Sequence, residues 1–475
     1  MARLVISSFM WLGSASVAGY VVSWLSTLLV IRLLVPQDYG LMAMAMMPIG
    51  LLMVIGDLGV GTVVVQMPTL TGPKLRALFG ASLLAYLALA AGVFLGAPIA
   101  AAFFAEPGLT PIVRALSLCF VGVAFSAVPQ ALVARALQFD RKARIEVLTA
   151  VVSSGIGLAL ALAGWGVWAL VGGVIALHLV RAVAFQLAQP CLFLPVPRLA
   201  ELRGSVRFSG WITLDRLLWF GYSNVDVAIA GRILGGALVG VYTVAASLAT
   251  LPLDKVMSVV NEISLSAFSR MQDDPQRIRQ GVMASLQSVS LLAFPISFGM
   301  ALVAPDLVEI FLGPKWVPAI VPLQILCLIC PFRALGVLLA PALFGTGHAR
   351  LVVENNAITL ASVALALLIG VQWGVAGLCA GWVAGYLPSF CIAMRRTLAA
   401  LEVPAGPVVR AITFAVAASL AMAATVLAAR GLVASLTPLL ELASLIAIGT
   451  ALYALMVIVF RPDTLRRVWA LAAQK

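Results

Sequence analysis

The chain is 475 residues long, 63% hydrophobic and only 10% charged, with a mean hydropathy of +1.11 and a formal net charge of +12. No soluble domain covers so much apolar surface with so little charge, which excludes a water-soluble enzyme or binding module. Two histidines far apart, six cysteines in apolar segments and no Walker A, GxGxxG or HExxH pattern give ATP hydrolysis, a catalytic triad or a zinc centre no support.

A membrane-spanning helix needs ~20 apolar residues, because the hydrocarbon core is ~30 Å thick and each residue rises ~1.5 Å. The sequence predicts fourteen such helices, an all-α polytopic membrane protein whose backbone satisfies its own hydrogen bonds in lipid. The first six are Phe9–Leu34, Leu41–Gln66, Leu78–Phe104, Ile112–Ala134, Val147–Gly164 and Val167–Ala188. The next six are Phe208–Leu234, Leu238–Glu262, Val282–Val303, Ala319–Gly345, Asn355–Gly370 and Val375–Met394, and Ala411–Ala429 and Leu439–Phe460 close the series. The first stretch opens like a signal peptide, but its apolar run continues to Ile31, past a signal peptide's short core, so a retained helix is expected. Cys327-Leu-Ile-Cys330 has metal-like spacing but sits in an apolar helix with no second pair, and reads as packing.

Basic residues set the orientation. Arg3, Lys74, Arg76, Arg135, Arg141, Lys142, Arg144, Arg203, Arg277, Arg350, Arg395 and Arg396 fall in one set of loops, while the opposite loops hold only Arg32, Arg114, Arg232, Lys315 and Arg430. Both termini are therefore expected in the cytoplasm. The net charge is this topological bias rather than a sign of a nucleic-acid partner, and none is expected.

Shifted by 200 residues, the chain aligns with itself. Ser16, Tyr20, Ser23, Arg32, Leu34 and Gly40 meet Arg216, Phe220, Ser223, Arg232, Leu234 and Gly240, and at a shift of 208 Trp165-Gly-Val meets Trp373-Gly-Val. Six spans thus repeat in the next six, and an even number per copy keeps both copies in one orientation about an axis along the membrane normal. The expected division is a six-helix lobe over 1–200, a second over 201–400, and an accessory helix pair with a cytoplasmic tail over 401–475.

Polar groups at membrane depth are costly and usually face a bundle interior or an aqueous cavity. In the eighth span Thr243, Ser247, Thr250, Asp254, Ser258 and Asn261 follow one helical face, with Lys255 beside them and Pro252 as a local break. The first span carries Ser16, Tyr20, Ser23 and Thr27, and the second carries Asp57. In the seventh, Ser209, Arg216 and Ser223 form one strip, with Asp215, Tyr222 and Asp226 adjoining and Asn224 nearby. Arg333 in the tenth span either lines the cavity or snorkels to the headgroups. Gly377, Gly381 and Gly385, four apart, read as a packing face. The polar stripes either glue helices together, pair their charges with one another, or wall a water-filled cavity between the repeats; the last explains most of the pattern.

The segments IRLLVPQDYGLMAMA and DLGVGTVVVQ of the first two spans resemble Wzx-type oligosaccharide flippases. AFSRMQDDPQRIRQ, FLGPKWVPAIVPLQIL and LFGTGHAR look like the same family, so that the resemblance covers roughly residues 1–400. It implies the multidrug/oligosaccharidyl-lipid/polysaccharide exporter fold, two six-helix lobes around a central cavity that opens alternately to either side of a bacterial inner membrane. The implied substrate is an undecaprenyl-pyrophosphate-linked oligosaccharide moved from the cytoplasmic to the periplasmic leaflet, with no covalent chemistry and no cofactor. Expected partners are that lipid-linked oligosaccharide, membrane lipids, and the polymerase and glycosyltransferases of the pathway. Arg216 and Lys255 lead as cavity cations for the pyrophosphate, though the family motifs mark neither. Ser23, Ser223, Asn224, Thr250, Asp254, Asn261 and Arg333 complete the candidate lining, and Asp57, Asp215 and Asp226 either bind a coupling proton or sodium ion or balance the arginines.

The nearest rivals are a multidrug or small-molecule antiporter of the same fold and a lipid II flippase. A membrane glycosyltransferase or polymerase would need a large outward loop bearing catalytic groups, whereas the largest here, around Ala304–Pro318, holds only Asp306, Glu309 and Lys315.

Overall fold

The computed structural model describes residues 26–56, 64, 72–191, 193, 210–270, 275–433 and 435–461; the side chains of 139, 210–213, 254–256, 258–270 and 275 are not among those described. The expectations placed on Ser23, Asp57 and the tail beyond 461 lie outside these residues, as do those on the side chains of Asp254, Lys255 and Asn261. Every regular element among the described residues is a helix.

Residues 26–33 are helical. Then follow α1 (Pro36–Gly56), α2 (Gly72–Phe104), α3 (Leu109–Leu116), α4 (Leu118–Arg135), α5 (Phe139–Leu162), α6 (Val167–Ala188), α7 (Gly210–Ile233) and α8 (Gly236–Arg270). The remainder comprises α9 (Pro275–Leu307), α10 (Ile320–Val337), α11 (Leu339–Gly345), α12 (Ala349–Gly370), α13 (Gly374–Ala400), α14 (Ala405–Val433) and α15 (Pro438–Phe460). Eleven stretches among the described residues are long and apolar enough to cross a membrane, and one of them, Ala349–Ala400, contains both α12 and α13. The chain is an all-α, multi-pass membrane protein. α7 is not among those eleven stretches; Asp215, Arg216, Asp226 and Arg232 all lie along it.

The helices depart from the apolar runs in instructive places. The predicted fourth span divides at Ser117, whose hydroxyl donates to the Arg114 carbonyl at 2.6 Å, giving α3 and α4. The tenth follows a 3₁₀ turn, Pro314–Ala319, and divides into α10 and α11. α8 runs unbroken through Pro252, contrary to the expected local break. Its 35 residues span about 52 Å, longer than the hydrocarbon core, so hydropathy falls away before the helix does. α5 likewise begins eight residues before the predicted Val147, in the charged run Asp140–Arg144, because a helix does not stop where lipid does.

The chain forms two compact units, one of residues 1–220 and 230–240, the other of 221–229 and 241–475. In the first, α5 pairs with α6, α4 packs on α6, α2 on α4, and α1 on α2 and α3. Arg181 reaches Glu146 at 2.7 Å and ties the α5–α6 pair. The Arg232 guanidinium donates to the Ala102 and Phe103 carbonyls (3.2 and 2.7 Å), satisfying acceptors at the C-terminal end of α2. The starts of α1 and α8 meet at glycines. A Cβ on Gly40 would lie 1.7 Å from the Gly236 carbonyl oxygen, and one on Gly240 would lie 1.7 Å from that of Pro36. Pro36 and Gly236, and Gly40 and Gly240, are the partners of the 200-residue shift. The contact is thus reciprocal, as a local two-fold requires.

In the second unit α12 packs along α13 through the predicted glycine face. Cβ atoms at Gly377, Gly381 and Gly385 would fall 2.2–2.8 Å from backbone atoms of Gly370, Ala366 and Val363. Glu354 of α12 binds Arg350 at 2.8 Å and also Arg396 of α13, tying this helix pair as Glu146–Arg181 ties α5 to α6 in the first unit. The helices after residue 401 belong to this unit. α14 and α15 pack on α9, with Met422, Val426 and Leu445 against Leu291 and Phe298. The Tyr453 hydroxyl donates to the Leu291 carbonyl at 2.9 Å, and Arg430 joins Asp306 at the end of α9. Edge-to-face rings run inward from there, Phe298, Phe294, Phe332 and Phe390, and reach Tyr386 and Trp382 on α13.

Candidate functional site

A cavity of about 220 Å³ lies within the second unit between α7, α8 and α10. α7 contributes Ser223 and Asp226, three residues apart and hence on one face; α8 contributes Tyr242, Thr243, Ser247 and Thr250; α10 contributes Cys330 and Arg333. The polar stripe predicted on α8 is therefore a cavity wall where its side chains are described, while Leu248 on the other side of the helix is buried at 6% exposure.

Asp226 is the centre of a buried network. Its carboxylate accepts from the Tyr242 hydroxyl, from the Trp382 indole N–H at 3.2 Å and from the Val227 backbone N–H at 2.7 Å. The indole N–H also donates to the Tyr242 oxygen at 2.7 Å. Asp226, Tyr242 and Trp382 retain 6%, 2% and 1% exposure, so each donor is committed to this cluster rather than to water. The Arg333 guanidinium lies over the Trp382 ring at 4.7 Å, a cation–π seat. Arg333 is also part of the cavity wall.

The sequence-predicted residues separate accordingly. Ser223, Asp226, Thr250 and Arg333 come together in this cavity. Asp215 and Arg216 lie ten to eleven residues earlier on α7, about 15 Å along its axis, with Arg216 exposed and Asp215 partly so. Both belong to the first unit, as residues before 221, and neither lines the cavity. Asn224 is partly buried and has interactions of its own, but it too is absent from the cavity wall. Sequence reasoning missed Tyr242 and Trp382. The available signal was depth: Trp and Tyr favour the membrane interfaces, yet Trp382 and Tyr386 stand mid-helix between Gly381 and Ser389.

Chemically the cavity offers a guanidinium, five hydroxyls and a carboxylate already surrounded by donors. Such a wall can replace water around a polar or anionic group at membrane depth.

Residues 29–321 match the family described as Polysaccharide biosynthesis protein. The chain is 25% identical over 335 residues to the lipopolysaccharide biosynthesis protein WzxC of Escherichia coli (strain K12), covering 70% of this chain and 68% of that protein. It is 24% identical over 328 residues to the teichuronic acid biosynthesis protein TuaB of Bacillus subtilis (strain 168), covering 67% and 66% respectively. Among solved structures, the inward closed conformation of the lipid II flippase MurJ superposes with a TM-score of 0.77 at 13% identity, over 96% of this chain and 100% of that one. At that identity the likeness speaks for the fold alone.

Proposed function

Because the chain belongs to the polysaccharide biosynthesis protein family, in the Wzx-type flippase group, we propose that it carries a lipid-linked oligosaccharide across the bacterial inner membrane. The substrate in this reading is an undecaprenyl-pyrophosphate-linked oligosaccharide, delivered from the cytoplasmic to the periplasmic leaflet by alternating access. The observation that carries the reading is the cavity lined by Ser223, Asp226, Thr250 and Arg333. Hydrated sugar and diphosphate cannot enter hydrocarbon without substitutes for their water, and hydroxyls with a guanidinium are such substitutes. The protein makes and breaks no covalent bond in this scheme. Arg216 and Lys255 remain candidate cations for the anionic linker elsewhere along the path, and a proton or sodium ion is the candidate driving species.

The reading is tested in a bacterial host that lacks its own polysaccharide flippase. Expression of this chain should restore the surface polymer, and proteoliposomes should move a fluorescent lipid-linked oligosaccharide between leaflets. Protection against cationic drugs without restored polymer would instead assign the chain to the antiporters of this fold.

A further inference from the structure

The first unit holds a cavity of its own, of about 350 Å³. Its walls are the helix of residues 26–33, Tyr39 of α1, and the α5–α6 pair. We propose that this cavity is a saccharide site, and that it takes an uncharged pyranose ring. The inference rests on the flippase reading for the source of the sugar; the cavity and its lining stand without it.

The repeat shows how the space arises. In the second unit the Trp382 indole donates to Asp226 at 3.2 Å, and both residues are buried. The 208-residue shift places Val174 at the position of Trp382, and the 200-residue shift places Ser26 at that of Asp226. Both of these smaller residues line the cavity of the first unit. One copy of the repeat thus fills this place with a hydrogen-bonded indole and carboxylate, and the other leaves it hollow. The volume lies within the ~300–1,000 Å³ of small-molecule sites.

The lining has two chemical sides. Ser26, Thr27, Tyr39, Ser153 and Ser154 bring hydroxyls from three helices, whereas Leu170, Val174 and Leu177 of α6 present an apolar side. A pyranose has the same two aspects, hydroxyls around its edge and C–H bonds on its faces. Ser26 is 8% exposed, and its hydroxyl has no hydrogen-bond partner among the described residues. An unpaired hydroxyl at membrane depth costs free energy, and a ligand hydroxyl that bonds to it removes that cost. The Ser153 hydroxyl donates to the Ala150 carbonyl at 3.1 Å and keeps lone pairs with which to accept. No charged side chain lines the cavity among the described residues. A diphosphate or a uronate would therefore enter without a counter-charge, and an isoprenoid chain would leave the Ser26 hydroxyl unpaired. An uncharged sugar ring meets both conditions. Ser26 and Ser153 then contact the sugar, and the small side chain of Val174 makes room for its ring.

The experiment uses the full chain in lipid nanodiscs, with the six native cysteines replaced and Ser154→Cys as a reporter in the cavity. The reporter should react with a water-soluble methanethiosulfonate. The probes are the methyl glycosides of glucose, galactose, mannose and N-acetylglucosamine. At least one of them should slow the reaction severalfold, and glucuronate should not. Ser26→Ala should raise the concentration needed for that protection about fivefold, the loss of one neutral hydrogen bond. Val174→Trp, which puts the second unit's residue into the first, should abolish both labelling and protection. Ser26→Ala removes a single oxygen and tests the same site if Val174→Trp does not fold. An unreactive reporter, no protection by any of the probes, or undiminished protection in Ser26→Ala overturns the proposal. Equal protection by glucuronate would overturn the assignment to an uncharged ring, and protection by geranylgeraniol alone would give the cavity to a lipid chain. Surface polymer restored equally by wild type and Val174→Trp would remove the sugar site and keep the flippase reading. Protection intact without restored polymer would keep the site and remove that reading.

Discussion

At the scale of single residues, the least tolerant positions of this chain carry no side chain at all. Gly40 and Gly240 each face a backbone carbonyl oxygen 1.7 Å from where a Cβ would stand, and a carbonyl inside a helix cannot turn aside as a flexible side chain can. Gly40→Ala and Gly240→Ala should each destabilise the protein by about 3 kcal/mol, the upper end of ordinary overpacking. Gly92 of α2 has nothing within 4 Å of its Cβ position, and Gly92→Ala should be neutral or stabilising by up to ~1 kcal/mol. Thermal unfolding of the three variants in detergent, followed by size-exclusion fluorescence, checks the contrast; equal melting temperatures would mean that the α1–α8 crossing has slack. Arg232 illustrates a different residue-scale lesson. The repeat singled it out, and in the structure it donates to two carbonyls in the last turn of α2.

At the scale of elements, α8 sets a hydroxyl-bearing face toward the cavity against a buried apolar one. With the native cysteines removed, Ser247→Cys and Thr250→Cys should react with a water-soluble thiol reagent, while Leu248→Cys and Ala245→Cys stay protected. Equal labelling on both faces would show that the wall is dry. This face was legible in the sequence because hydroxyls spaced by three and four stand out against an apolar helix. The Gly377, Gly381, Gly385 face was legible for the converse reason, small residues on a helix with nothing else to offer. The helix ends were not. Hydropathy reports contact with lipid, so it could not see α5 continuing into Asp140–Arg144 or the division at Ser117, where a hydroxyl rather than a change of polarity marks the break. Tyr242 and Trp382 were hidden for the same reason. Each is grouped with the hydrophobic residues in the composition, and only their polar tips, meeting Asp226 from 16 and 156 residues away, make the site.

At the scale of the whole molecule, the charge bias predicts how the chain threads the membrane. Reporter fusions after Arg141 and Asp274 should read cytoplasmic, and those after Glu106 and Pro314 periplasmic; reversal at any two of the four would reject the map. The fourteen-span count stands or falls with the same fusions. The division into units has a consequence for biogenesis. The first unit is not a continuous stretch of chain: residues 230–240 belong to it, although 221–229 belong to the other. A ribosome that has just released residue 220 has therefore delivered an unfinished body, in which the end of α2 still lacks the Arg232 donor and Pro36 lacks its glycine neighbour. The early helices must wait in the translocon or the bilayer until the start of α8 emerges. Synthesis of the second unit therefore begins before assembly of the first can end.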